Sequence, residues 1–453
     1  MDIVATTRAH SVGPCEVSLL GASESVTGAM TLVAGNGGRI LVDCGVAQGD
    51  EARSWHFRDA LDNLRDLTGV VLTHGHNDHV GSLPALLESG FRGPIFGTAA
   101  TLDIAELVLG DGLRLARVPD ADIVAFRRRF RDQARTVEYG EGFRVGGVDF
   151  DVRLAEAGHI LGSASVELVG PGARIIVSGD LGRPGTPLLR DYHRTFSPGR
   201  PVDLVVLEST YGDREHTDQP DQLADRLETI VRRALADGGH ILVPAFAIGR
   251  TQTLIYHLNA LVEAGRLPDL TVAIDSPLGL RVTELYARAR HLYDAEARGR
   301  LARGDDPLSF EGLYAVNRAA DSERLRGADE PVLIIAGSGM CTGGRIVGHL
   351  KQLLPDPRTC VLFVGFQARG TPGRAIIEAA KDHGLVRLDE VTVPVRAHVE
   401  VLSGLSAHAD RRELADWLFA IPDVARVALH HGEVKVQRQF AEWLRHRGPT
   451  SRT

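Results

Sequence analysis

The segment LTHGHNDHVG, residues 72–81, constrains this chain more than any other. It sets His74, His76, Asp78 and His79 directly after the apolar run TGVVL, so three imidazoles and a carboxylate project from one tight turn at a strand end. Packing rarely calls for that many polar groups at such a point. Nitrogen and oxygen donors at this density suit Zn(II), Mn(II) or Fe(II), and can supply part of two adjacent metal sites.

The surrounding sequence follows the same rule. Over about the first 210 residues, GRILVDCG, TGVVLTHGH, GPIFGTA, VDFDVRLAEAGH, ARIIVSGD and VDLVVLEST each carry an apolar core that ends in a polar or Gly-rich element, the pattern of β-strands. Residues 83–90 and 120–134 have helical spacing, the latter with a basic face, which makes this half α/β. From about Gln222 helices alternate with continuous apolar runs (ILVPAFAI, LTVAIDS, PVLIIAGSG, CVLFVGF), which predicts a doubly wound parallel sheet buried on both faces. A β pattern, VTVPVRAHVEVLSG, then precedes the helix DRRELADWLFA and the strand RVALHHG.

Composition removes several classes. At roughly 150 residues per domain, 453 residues give two or three domains, and 43% hydrophobic with 24% charged residues excludes a disordered or collagen-like chain. The opening residues lack a basic stretch followed by an apolar segment. The longest apolar runs fall far below the ~18 residues of a spanning helix. A cytoplasmic location without membrane contact is the expectation. Four widely spaced cysteines without CxxC read as reduced core residues. A net charge of -8 gives no bulk attraction for nucleic acid, although a local groove can still be basic.

His159 in EAGHILGSAS and Asp180 in IVSGDLGR lie at further strand ends, beside glycines that let backbone approach an ion or phosphate. HxHxDH, GH and SGD in this order, with Asp43 upstream in LVDCG, resemble the metallo-β-lactamase superfamily. The resemblance implies an αββα sandwich in which His74, His76 and His159 hold one metal, Asp78 and His79 hold the second, and Asp180 bridges them. Asp43 would orient the turn from behind. Downstream, ESTYGDREH with Glu208, AFAIGRTQ, DSPL, GSGMCTGGR, FVGFQARGTPGR, GLSAHAD with His408 and HHGE with His431 occur in the order seen in the β-CASP ribonucleases. This likeness spans about Leu20 to Glu433 and is greatest to bacterial and archaeal relatives of the cleavage and polyadenylation endonuclease. It implies a metallo-β-lactamase domain in residues 1–209, an inserted β-CASP domain in 210–393 with the parallel doubly wound α/β sheet, and a C-terminal return in 394–453. Gly348 stands where relatives often carry a histidine before His349, which leaves the role of His349 open. HHGE offers His430 and His431. His431 is preferred as the last ligand of the second metal because it directly precedes the Gly-Glu of the family pattern.

By the same resemblance the chain is a zinc ribonuclease with two Zn(II) per chain, or Mn(II) on the same donors. It would cut single-stranded RNA endonucleolytically in a cleft between the two domains, leaving a 5'-phosphate and a 3'-hydroxyl. The leaving ribose oxygen needs a proton, and a positioned acid contributes roughly 10²- to 10⁴-fold. His408, not required as a ligand, fits that role, Glu208 occupies the family position beside it, and Asp78 completes the catalytic set. The turn GSGMCTGGR offers backbone N–H groups, Ser338, Thr342 and Arg345 to RNA phosphates. Arg250, Arg369 and Arg374 sit in comparable loops and are expected to track the RNA phosphates, with surface ion pairing as the equal alternative. With 5% aromatic residues, base stacking is expected to be sparse. A DNA nuclease of the same branch or a small-ester hydrolase is the competing reading, though a small substrate needs no phosphate-lined second domain. A silent RNA-binding subunit comes last, since every expected ligand is present. Single-stranded RNA is the expected partner, a homodimer is allowed, and no membrane is expected.

Overall fold

GRILV, LTGVV, IFG, DVRLAE, RIIV and LVVLE form the strands Gly38–Val42, Leu67–Val71, Ile95–Gly97, Asp151–Glu156, Arg174–Val177 and Leu204–Glu208, each stopping where its polar element begins. The computed structural model describes residues 1–35, 37–48, 57–60, 64, 66–216, 220–365 and 367–448. They divide into two compact units.

The first unit comprises the described residues of Met1–Pro184, Leu189–Glu215 and His408–Thr453. It holds two seven-stranded sheets. One runs in the order Ala9–Val12, Cys15–Gly21, Met30–Gly35, Gly38–Val42, Leu67–Val71, Ile95–Gly97, Ala134–Thr136. The other runs Asp2–Val4, Arg426–His430, Leu204–Glu208, Arg174–Val177, Ala164–Val169, Asp151–Glu156, Gly142–Arg144. Strict alternation along the strands sends Val17, Val33, Ile40, Val42 and Val71 of the first sheet against Val152, Leu154, Val166, Ile175, Val206 and Ala428 of the second, closing a sandwich core. The opposite face of the second sheet, with Ile176, Val205, Leu207, Val427 and Leu429, is covered by Trp417 and Leu418 of helix Arg411–Ala420 and by Phe440 and Leu444 of helix Val434–Arg447. Helix Ala99–Leu115 packs on the outer strands Ile95–Gly97 and Ala134–Thr136 of the first. The arrangement is the αββα sandwich that the motifs imply.

Register brings the chemistry to one rim. Val42 pairs with Val71 in parallel, so Asp43 and Thr73–His74 emerge side by side. Glu208 pairs with His430 in parallel, so the Glu208 carboxylate and the turn at His431 leave the second sheet together. Glu156 opposite Ala164 makes the segment carrying His159 a tight connection at the same end.

The second unit comprises Gly185–Leu188 and the described residues of His216–Ala407. Its six-stranded sheet, in the order Leu313–Ala315, Thr271–Ile274, Val332–Ala336, Ile241–Pro244, Cys360–Phe363, His398–Val401, is parallel throughout, as the uninterrupted apolar runs predict. A separate hairpin, Leu385–Leu388 with Val391–Pro394, splits the β pattern of residues 391–401 between two sheets. Among the described residues no helix is long and apolar enough to cross a membrane.

Candidate metal centre

Asp43 anchors the site from behind. Its backbone is left-handed (φ 63°), which turns the carboxylate back under the neighbouring strand end. There Oδ1 accepts the Thr73 N–H at 2.8 Å and Oδ2 accepts the Thr73 hydroxyl at 2.7 Å. Asp43 Oδ2 also takes the Nδ1 proton of His79 at 2.7 Å, which directs Nε2 of that ring toward the cluster. Gly75, inside the His-Gly-His turn, has no room for a side chain, because a Cβ would lie 2.5 Å from Ile104 of the covering helix.

Around this turn the donor atoms converge. His74 Nε2 lies 3.1 Å from His76 Nδ1, which in turn lies 3.2 Å from His159 Nε2. Asp180 Oδ2 stands 3.5 Å from His74 Nε2 and 3.6 Å from His159 Nε2. On the other side His79 Nε2 is 3.3 Å from His431 Nε2, and Asp78 Oδ2 is 3.5 Å from the same nitrogen. Asp180 Oδ1 reaches both His79 (3.3 Å) and His431 (3.4 Å). Two groups whose ligand atoms all lie within 4.8 Å result, His74 with His76, His159 and Asp180, and Asp78 with His79 and His431. His431 is itself left-handed (φ 50°) and is steadied by Thr210 Oγ1, 3.1 Å from Nδ1. His430 points elsewhere and shares its Nε2 with the Gly21 carbonyl at 2.7 Å.

The donor chemistry fits divalent cations. Imidazole nitrogens that face one another at 3.1–3.3 Å in a buried cluster with the carboxylates of Asp78 and Asp180 make a donor set suited to divalent cations. Asp180 Oδ1 is buried and accepts no hydrogen bond. Burial, with the nearby His79, holds His74 well below the usual imidazole range, and burial pushes His76 down to about 4, so both keep lone pairs for a metal. Burial disfavours the Asp78 carboxylate, but His431, His79 and His76 outweigh it and push the group down to about 2. Burial also opposes a charged His79, yet the carboxylates of Asp180 and Asp43 raise it well above the usual range.

Beside the cluster, Glu208 is buried at the end of its strand. Its Oε1 accepts the Leu181 N–H at 2.8 Å and lies 3.4 Å from His408 Nδ1. His408 bridges in antiparallel fashion to Gly182, and its ring centroid lies 4.5 Å from that of His159. Sequence reasoning passed over Thr73, Thr210 and Ser178, whose hydroxyl accepts the Glu208 N–H at 2.9 Å. Their signal is slight, a hydroxyl residue adjoining or near each ligand motif.

The second unit gathers the remaining candidates at one end of its sheet, Ser338, Thr342 and Arg369 in loops and Arg250, Arg345 and Arg374 in the first turns of helices rather than in loops. Ser338 Oγ accepts the Thr342 N–H at 2.9 Å, closing the Gly-rich turn, and both residues are at the surface. Arg345 is drawn inward, donating to Asp275 Oδ1 (2.6 Å) and to the carbonyls of Val316 and Asn317. His349, fully buried, also pairs with Asp275, Nε2 lying 2.6 Å from Oδ2. Arg374 pairs with Glu378 one turn along its helix. Arg369 is exposed, and Arg250 opens the helix Arg250–Glu263.

Comparison with known proteins agrees with this arrangement. Residues 26–232 match the metallo-beta-lactamase superfamily, 251–376 the Beta-Casp domain, and 392–451 the Zn-dependent metallo-hydrolase RNA specificity domain. The chain is 38% identical over 433 residues to ribonuclease TTHA0252 of Thermus thermophilus, covering 94% of this chain and 95% of that protein. It is 33% identical over 440 residues to transcription termination factor FttA of Pyrococcus abyssi, covering 91% of this chain and 66% of that longer protein. A solved structure of a protein of unknown function from Enterococcus faecalis shares the fold, with a TM-score of 0.54 and 14% identity over 95% of this chain and 94% of that one. The chain therefore belongs to the β-CASP family of metallo-hydrolases within the metallo-β-lactamase superfamily, a membership that implies divalent-metal binding.

Proposed function

We propose that the chain is a zinc-dependent ribonuclease that hydrolyses phosphodiester bonds within single-stranded RNA, with His74, His76 and His159 holding one ion, Asp78, His79 and His431 the other, and Asp180 shared between them. The observation that carries this reading is the buried set of facing donors with the His408–Glu208 pair 3.4 Å apart at its edge. RNA is favoured as substrate by the printed name of the Thermus thermophilus relative and by the match to an RNA specificity domain.

When bound, two divalent ions supply Lewis acidity for the charge that develops on the phosphodiester. The chain's own residues do the rest. Asp43 and Thr73 fix the orientation of His79 and the turn, and Asp78 stays ionised at neutral pH. Glu208 engages Nδ1 of His408, so Nε2 is the nitrogen that delivers a proton to the leaving ribose oxygen. His408 is the acid and Glu208 its positioning residue. In the second unit, Ser338, Thr342, Arg250, Arg369 and Arg374 face phosphates of the bound strand. Arg345 holds their loop in place through Asp275.

Incubating the zinc-loaded protein with 5'-labelled and internally labelled RNA of equal length tests this. Internal cuts spread along the ladder, with 5'-phosphate ends, are expected. Mononucleotides released from one end would replace the endonucleolytic mode, and equal cutting of DNA, or faster hydrolysis of a small ester than of RNA, would overturn the substrate.

A further inference from the structure

Phe246 is a large aromatic side chain left open to solvent, 39% exposed, two residues beyond the strand Ile241–Pro244. Its surroundings fix it there. The ring lies on the backbone of Gly339, where a Cβ would come within 2.8 Å of Cδ2, and its edge approaches Gly365. The Thr251 hydroxyl donates to the Phe246 carbonyl at 2.8 Å, and the Ala245 N–H donates to the Ala336 carbonyl at 3.1 Å. The ring thus packs against Gly339 on one side while more than a third of the residue stays open to solvent.

The place in the sheet matters as much. Strands Ile241–Pro244 and Val332–Ala336 are neighbours, but the first leads to Thr271–Ile274 and the second to Cys360–Phe363, on opposite sides of the pair. Right-handed crossovers put helices Arg250–Glu263 and Arg345–Leu353 on opposite faces of the sheet, which opens a crevice at the carboxyl ends of these two strands. Phe246 stands at that crevice against Gly339, the neighbour in sequence of Ser338, and Phe246 Cε2 and Arg250 Nε both approach Gly365.

We infer that this crevice is a nucleotide subsite in which Phe246 stacks on one base of the bound RNA. The inference rests on the ribonuclease reading and adds to it a base contact, where the sparse aromatic content had suggested little stacking. Every base presents a π-face, so the subsite favours purines by stacking strength without reading an edge.

The test is equilibrium binding of the zinc-loaded protein to a fluorescent oligoadenylate of about twelve nucleotides with phosphorothioate linkages, which slow cleavage, and to a series carrying one abasic position each. Phe246→Ala is expected to weaken binding roughly ten-fold, Phe246→Leu similarly, and Phe246→Tyr little. Metal content and Tm should stay unchanged in all three. In the abasic series one position should cost the native chain affinity and cost Phe246→Ala none, the signature of a paired contact. Native-like binding by Phe246→Ala, or a Phe246→Leu variant as good as Phe246→Tyr, overturns the subsite while the ribonuclease reading stands. A native chain that neither binds nor cuts RNA overturns both.

Discussion

Asp43 and His431 accept left-handed backbone that non-glycine residues seldom adopt, and each uses it to aim a side chain at the cluster. The ligand motifs were legible because histidine at such density has few structural uses. The hydroxyls of Thr73 and Thr210, and the inward turn of Arg345, were not, since serine, threonine and arginine serve many surface purposes. Two residue-scale outcomes follow. His408→Ala should keep its metals and bind RNA while cutting it roughly 10²- to 10⁴-fold more slowly, and an RNA whose leaving 3'-oxygen is sulfur should recover most of that loss. Glu208→Gln should lower kcat with little change in KM and be rescued by the same substrate. Loss of metal from His408→Ala would make it a ligand. Glu156 offers a pH test. Burial pushes its carboxyl up to about 7 despite Arg190 and the Tyr139 hydroxyl, so the folded state keeps a proton that the unfolded chain releases near 4.5. Its contribution to stability therefore falls as pH rises through that interval, and Glu156→Gln should gain up to about 3 kcal/mol over the native chain at pH 8 in urea unfolding and none at pH 4. His257 acts oppositely. Burial pushes it down to about 4, so stability also falls as pH drops from 6.5 toward that value.

Strands whose apolar cores end in chemistry are the elements that the sequence displays best, and Gly38–Val42, Leu67–Val71 and Leu204–Glu208 all end as their patterns predict. Helix Ala99–Leu115 escaped notice because Gly110 and Gly112 interrupt its apolar stripe, and packing against helix Asp120–Gln133, the turn Asn77–Val80 and the strand edges holds it. The early antiparallel strands Cys15–Gly21 and Met30–Gly35 were hidden by small and polar residues between them. The connection from Asp180 to His408 shows how elements are fitted at the rim. The Gly182 N–H donates to the Ala157 carbonyl at 2.8 Å, and a Cβ there would lie 1.9 Å from the Gly158 carbonyl oxygen. Gly182→Ala should force these segments apart, costing about 1–3 kcal/mol in denaturant unfolding and lowering metal affinity, since His159 and Asp180 sit on the displaced segments. An unchanged midpoint and metal content would show that the close approach carries no weight.

Across the whole chain, residues as distant as Asp43, His159, Glu208 and His431 meet because strand Arg426–His430 inserts between Asp2–Val4 and Leu204–Glu208. Periodicity alone does not reveal that order; the sequence of motifs does, through resemblance. On the ribonuclease reading, a molecule of net charge -8 would hold an RNA strand by local donors, so cleavage should fall steeply with added salt even though the protein is acidic overall. The most direct test of the account is a metal titration of RNA cleavage. Protein stripped by chelator should cut single-stranded RNA at a negligible rate, and added Zn(II) should restore cutting up to two ions per chain, with Asp180→Ala failing to recover at the same concentrations. Full activity in the stripped protein, or a loaded protein that leaves RNA intact, would contradict it.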